Sequence, residues 1–159
     1  MKRIGLYIDV SNLYFCLYNN LHGKLNYAKL IEFLEPLGDR VVSKAYGAQV
    51  KNEAEGFIKL LESLSFETFY KKPKYFGATH TGKADWDVGI AIDIIKDLDR
   101  IDMVILATAD GDMTPLAKYL KEHGKDVVVI GSNISQELRA EVTKFIEIPN
   151  SLVIPIRRK

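Results

Sequence analysis

Two carboxylates stand one residue apart directly after an apolar run, Met103-Val104-Ile105-Leu106-Ala107-Thr108-Ala109-Asp110-Gly111-Asp112. A second apolar run, Ile4-Gly5-Leu6-Tyr7-Ile8, also ends on an acid, Asp9. If both runs are parallel strands of one sheet, the three acids project from the same edge. Clustered carboxylates repel one another unless a cation joins them. An oxygen-rich donor set of this kind suits Mg²⁺ or Mn²⁺, and such sites serve phosphate chemistry.

Each acid also has a plain structural role open to it. Asp9, between a strand and a helix, fits a cap or a turn. Asp112 can cap the helix that follows, and Gly111 permits a tight turn that aims both neighbouring carboxylates at one point. A further acidic segment is Lys83-Ala84-Asp85-Trp86-Asp87-Val88-Gly89-Ile90-Ala91-Ile92-Asp93. Asp87 opens a helix and supplies a fourth carboxylate. Asp85 suits the N-cap, since acids are favoured at a helix start. Asp93 interrupts an apolar stretch, and a supporting role is expected for it, holding a ligand or a basic side chain. Asn12 can cap the first helix, orient Asp9 or meet a phosphate, with Ser11 competing for the cap. Thr108 and Thr114 flank the carboxylate pair and could donate hydrogen bonds to it.

The elements that must position these residues alternate. Strands are expected at Lys2–Asp9, Arg40–Ala48, Phe66–Tyr70, Met103–Thr108, Asp126–Ile130 and Phe145–Ile148. Between them lie helices from Ser11 or Asn12, at Asn26–Leu37, Asn52–Ser63, Asp85 or Asp87 to Leu98, Met113–His123 and Ser135–Val142. Gly124 fits the C-cap of the fifth helix. In the fourth helix Val88, Ile92 and Ile95 are expected to face inward. Alternating strands and helices predict a three-layer α/β/α sandwich around a mainly parallel sheet. Right-handed crossovers leave 3-2-1-4-5 as the simplest strand order. That order sets the first and fourth strands side by side at the switch point, where open α/β sheets bind ligands. The 159 residues suffice for one domain, expected over 1–150 with 151–159 as a short tail.

The combined pattern resembles the NYN domain family, the LabA-like branch of the PIN-like nucleases. The segments that carry the resemblance are Tyr7–Leu13, Lys83–Asp93, Leu106–Leu116 and Gly124–Val129. The acidic segments occur in family order and span nearly the whole chain. The resemblance implies a PIN-like fold and metal-dependent cleavage of RNA phosphodiesters, with DNA as the alternative substrate. It places Asp9, Asp87, Asp110 and Asp112 at the metal site, and Asn12 and Asp93 also match family positions. Ala109 and Met113 depart from the family's usual residues, but neither change removes a carboxylate. In the arrangement expected, Asp9 and Asp110 bind Mg²⁺ or Mn²⁺ most directly, while Asp112 and Asp87 complete the shell or hold a second ion through water.

The segment from Tyr70 to Lys83 offers a substrate path. Lys71, Lys72, Lys74 and Lys83 could neutralise phosphates, and Tyr75 and His80 lie among them. The bland alternative is a solvated lysine-rich loop. With a net charge of +1, any nucleic-acid contact must come from such a local patch. Asp110-Gly111-Asp112-Met113-Thr114 also fits the Asp-x-Asp-x-Thr signature of haloacid-dehalogenase-type phosphatases, with Asp110 as nucleophile. That signature normally stands near the N-terminus, and the later acidic pair it needs is missing from the sequence. A non-catalytic RNA- or protein-binding module is the third alternative. Phosphate-loop and dinucleotide motifs are absent. The single cysteine, Cys16, excludes an internal disulfide, and no apolar run approaches a membrane span. Without a leader, a cytoplasmic protein is expected. The oligomeric state is left open, a homodimer among the options.

Overall fold

Every residue from Met103 to Ala107 is buried, the pattern of a strand covered on both faces. In the computed structural model, which describes residues 1–48, 54–71 and 85–156, that strand lies near the centre of a six-stranded parallel sheet. The elements run β1 (Arg3–Asp9), α1 (Val10–Leu21), β2 (Gly23–Leu25), α2 (Tyr27–Leu34), β3 (Asp39–Ala48), α3 (Ala54–Ser63) and β4 (Glu67–Lys71). The chain continues through α4 (Asp87–Asp97), β5 (Met103–Ala107), α5 (Thr114–Glu122), β6 (Asp126–Gly131), α6 (Gln136–Glu141), β7 (Lys144–Glu147) and β8 (Val153–Pro155). Strand order in the main sheet is β4-β3-β1-β5-β6-β7. The expected order is therefore present, with β7 added at one edge. The fold is a three-layer α/β/α sandwich.

Period-two alternation divides the core between the two faces. Leu6, Ile8, Ile105, Ala107, Val128 and Ile130 pack on one side against Leu13 and Leu17 of α1, Leu30 of α2 and Leu61 of α3. Tyr7, Val104, Leu106, Val127 and Val129 face the other way, onto α4, α5 and α6. The chain thus leaves β1 on one side of the sheet and enters β5 from the other. The pair forms an unbroken parallel register from Ile4↔Met103 to Ile8↔Ala107. Val153–Pro155, placed in the tail by sequence, pairs antiparallel with Gly23–Leu25 as a small second sheet. Residues 157–159 lie outside the described residues.

α4 does not pack as its periodicity suggests. Ile90, Ile94 and Asp97 are its buried residues, whereas Val88, Ile92 and Ile95 are exposed. Two apolar rows at helical spacing run along this helix, and the winner is the row that shares a face with acids the sheet can satisfy. The Tyr46 hydroxyl donates to Asp93 (2.7 Å). Asp97 accepts from the Tyr7 hydroxyl (2.9 Å) and from Lys44 Nζ (3.0 Å), with Arg100 3.5 Å away. Burial first, then the bond to Asp97, pushes the Tyr7 phenol far above its ordinary range. The expected basic or ligand partner of Asp93 is thus a tyrosine, and the lysine goes to Asp97, a residue that sequence reasoning passed over.

This ladder ties α4 to β1 and β3 through groups that cannot be left alone. Asp97→Ala strands the Lys44 ammonium, whose side chain is only 14% exposed, and should cost about 3 kcal/mol. Tyr7→Phe should cost about 1 kcal/mol. Urea unfolding checks both. A loss below about 0.5 kcal/mol for Asp97→Ala would show that the ladder does not hold the helix.

Candidate active site

The parallel register delivers the acids to one edge. Ile8 pairs with Ala107, so Asp9 and Thr108 leave their strands side by side. Asp9, 5% exposed, is the N-cap of α1, its Oδ1 accepting from the Asn12 N–H (3.1 Å). The cap is thus Asp9 itself, rather than Ser11 or Asn12. Asn12 instead spans the two strand ends, its Oδ1 accepting from the Ala109 N–H (2.9 Å). Past β5 the chain turns at once. The Asp110 N–H donates to Thr108 Oγ1 (3.2 Å), and Asp110 Oδ1 accepts from the Asp112 N–H (2.9 Å). Thr114 donates to the Gly111 carbonyl (2.7 Å), so its hydroxyl supports the turn rather than a carboxylate. Gly111 has no positive φ. Its requirement is space, since a Cβ there would stand 2.7 Å from Ser135 Oγ.

The fourth acid arrives on α4. Asp87 N–H donates to Asp85 Oδ1 (2.9 Å), so Asp85 supports the helix start, but the N-cap expected of it is occupied by Trp86. Trp86 docks that start on the sheet: its indole N–H donates to the Gly47 carbonyl (3.0 Å) and its ring lies 5.5 Å from Tyr46. Trp86 stood in plain view in the acidic segment, but its anchoring role depends on the ends of β3 and β4, which sequence spacing does not bring near. Lys71 lies over the Trp86 ring (4.4 Å) and donates to the Asp85 carbonyl. Lys72, Lys74, Tyr75, His80 and Lys83 lie outside the described residues.

Asp87, Asp110 and Asp112 converge, each offering a carboxylate oxygen within 4.8 Å of the others. That group does not include Asp9, which was expected to bind most directly, although its charge is felt at Asp87. The Asp87 carboxyl is pushed up to about 7, by burial first and then by Asp110, Asp85, Asp9 and Asp112. Negative charge therefore gathers here beyond what the surrounding protein compensates. Three hard oxygen donors at this spacing fit a divalent cation such as Mg²⁺ or Mn²⁺. Beside Asp87 and Asp112 a groove of about 380 Å³ opens between α4 and α5, lined by the exposed row Val88, Ile92 and Ile95 and by Met113, Leu116 and Tyr119.

A carboxyl raised from 3.8 to about 7 favours the folded state at low pH, and that contribution is lost as pH rises through about 7. Asp87→Asn should therefore leave metal-free stability little changed at pH 4 and raise it at pH 8, by about 1 kcal/mol after allowance for solvent screening. Thermal unfolding in EDTA across that range checks the sign. A variant less stable than the wild type at pH 8 would mean that Asp87 is not a strained charge.

The comparisons with known proteins agree with this fold. An uncharacterised protein of Methanocaldococcus jannaschii is 30% identical over 132 residues, 82% of this chain and 48% of that protein. The chain thus spans about half the length of that relative. The low amplitude and bright protein LabA of Synechococcus elongatus is 22% identical over 157 residues, covering 92% of this chain and 84% of LabA. A Vibrio parahaemolyticus protein of unknown function, solved by crystallography, superposes with a TM-score of 0.85 at 27% identity over 96% of both chains. The NYN domain model matches residues 3–149. With that match along nearly its whole length, and acids gathered where β1 and β5 part, this chain belongs to the NYN domain family.

Proposed function

We propose that this protein is a metal-dependent endoribonuclease that hydrolyses RNA phosphodiesters at the edge where β1 and β5 end. One observation carries the reading: Asp87 from α4 meets Asp110 and Asp112 from the turn after β5 within 4.8 Å, in a member of a PIN-like nuclease superfamily. Acids held this close disfavour one another's ionisation until a cation joins them.

Asp87, Asp110 and Asp112 would hold the ion, and Asp9 would add its charge from the start of α1. Bound Mg²⁺ or Mn²⁺ supplies an activated water and neutralises charge on the phosphate. The chain's own part is positioning. The Asp112 N–H fixes Asp110 through one carboxylate oxygen. Asn12 holds the ends of β1 and β5 together. The Trp86 anchor sets the height of Asp87. With its carboxyl pushed up to about 7, Asp87 would have to give up a proton to hold a cation, so apparent metal affinity should fall as pH drops below about 7.

The dehalogenase-type alternative loses ground on Thr114, whose hydroxyl is spent on the Gly111 carbonyl, and on the family match. Among the described residues no helix is long and apolar enough to cross a membrane.

Asp110→Asn and Asp9→Asn should each lower Mn²⁺-dependent cleavage of a labelled RNA, Asp110→Asn by about a hundredfold or more. Both variants should keep the wild-type fold by circular dichroism. Full activity in both would refute the assignment, and activity on small phosphomonoesters alone would restore the phosphatase reading.

A further inference from the structure

α1 crosses the rim on which the acids sit. Its first turn is capped by Asp9 and bonded through Asn12 to Ala109, just past β5. Near its far end Asn20 Nδ2 donates to Ser132 Oγ (3.1 Å), just past β6. The helix is thus tied down along the C-terminal edge of the sheet, at both ends, by amide side chains.

Its outward face is unusual for a helix in this position. The core side is made by Leu13 and Leu17, while Tyr14, Phe15 and Tyr18 are 57%, 54% and 49% exposed. Tyr14 and Tyr18 stack, their centroids 6.2 Å apart and planes within 18°. A helix advances about 1.5 Å per residue, so these rings stand about 7 and 13 Å along the axis from Asp9. From Val10 to Leu21 the sequence contains no Asp, Glu, Lys or Arg. Nothing on this helix repels a phosphate chain, and nothing offers the salt bridges of a charged protein partner. It presents ring faces, hydroxyls and amides, the chemistry that bases accept.

We infer that the face carrying Tyr14, Phe15 and Tyr18 is a stacking track for unpaired bases, and that it selects single-stranded over duplex nucleic acid for the neighbouring acid site. The inference rests on the nuclease reading of that site. It adds a substrate class: a strand whose bases are free to lie on the rings while its backbone passes Asp87, Asp110 and Asp112. Every base has a π-face, so the track tolerates any sequence. A paired helix keeps its bases stacked on one another and cannot use it.

The test compares Tyr14→Ala/Tyr18→Ala with Tyr14→Phe/Tyr18→Phe in the full chain. Fluorescence anisotropy with a labelled oligouridylate and a labelled RNA duplex, in EDTA, reads binding without cleavage. The alanine pair should weaken oligouridylate binding about tenfold or more, leave duplex binding unchanged, and raise KM but not kcat in Mn²⁺. The phenylalanine pair should bind as the wild type does. Wild-type oligouridylate affinity in the alanine pair overturns the track, as does an equal loss for strand and duplex. So does a wild-type dimer that the alanine pair dissociates with strand binding intact, which would assign the face to a second copy of the chain. Cleavage by the alanine pair at wild-type KM removes the track and keeps the nuclease. Ring-dependent strand binding by a wild type that cuts nothing in Mn²⁺ supports the track and removes the nuclease.

Discussion

Like charges held at one point are the constraint on which the rest of this structure turns. Asp87, Asp110 and Asp112 meet within 4.8 Å with Asp9 alongside, and the protein must hold them there against their mutual repulsion. Burial first, and then the neighbouring carboxylates, push the Asp87 carboxyl up to about 7. A divalent cation turns the same repulsion into affinity.

The restraints that keep the acids together come from every level of the structure. β1 and β5 run parallel in unbroken register, which fixes where Asp9 and the Asp110 turn emerge. Asn12 bonds to both sides of that junction. On the far side, α4 is pinned by Trp86 at its start and by the Tyr46–Asp93 and Tyr7–Asp97–Lys44 contacts farther along. Residues that never approach the acids therefore decide where Asp87 stands. The two faces of the sheet divide the work, with α1 reaching the site from one side and α4 and α5 from the other.

Much of this was legible in the sequence because topology does the converging. Apolar runs ending on Asp9 and on Asp110 need only lie side by side for their C-terminal ends to share one edge, and the crossover rule makes them neighbours. What stayed hidden needed knowledge of what faces what. Val88, Ile92 and Ile95 form as good a helical row as Ile90 and Ile94, and only the tyrosines on the sheet decide between them. Asp97 carried no signal in the sequence, because only the fold brings Lys44 and Tyr7 beneath it. Gly111 looked like a conformational necessity, yet its neighbour Ser135, from a distant segment, is what forbids a side chain. Val153–Pro155 could not be told from a tail, since its partner strand lies at the other end of the chain. Tyr14, Phe15 and Tyr18 on α1 carried no signal of their own, because composition does not reveal which side of a helix the sheet leaves open.

The most direct measurement is a crystal of the wild-type protein soaked in Mn²⁺ and read for anomalous scattering. The account predicts one strong peak bounded by the carboxylates of Asp87, Asp110 and Asp112, absent from a crystal of Asp110→Asn soaked alike. A soak that leaves those oxygens without a peak, or that places manganese only at remote surface acids, would contradict it.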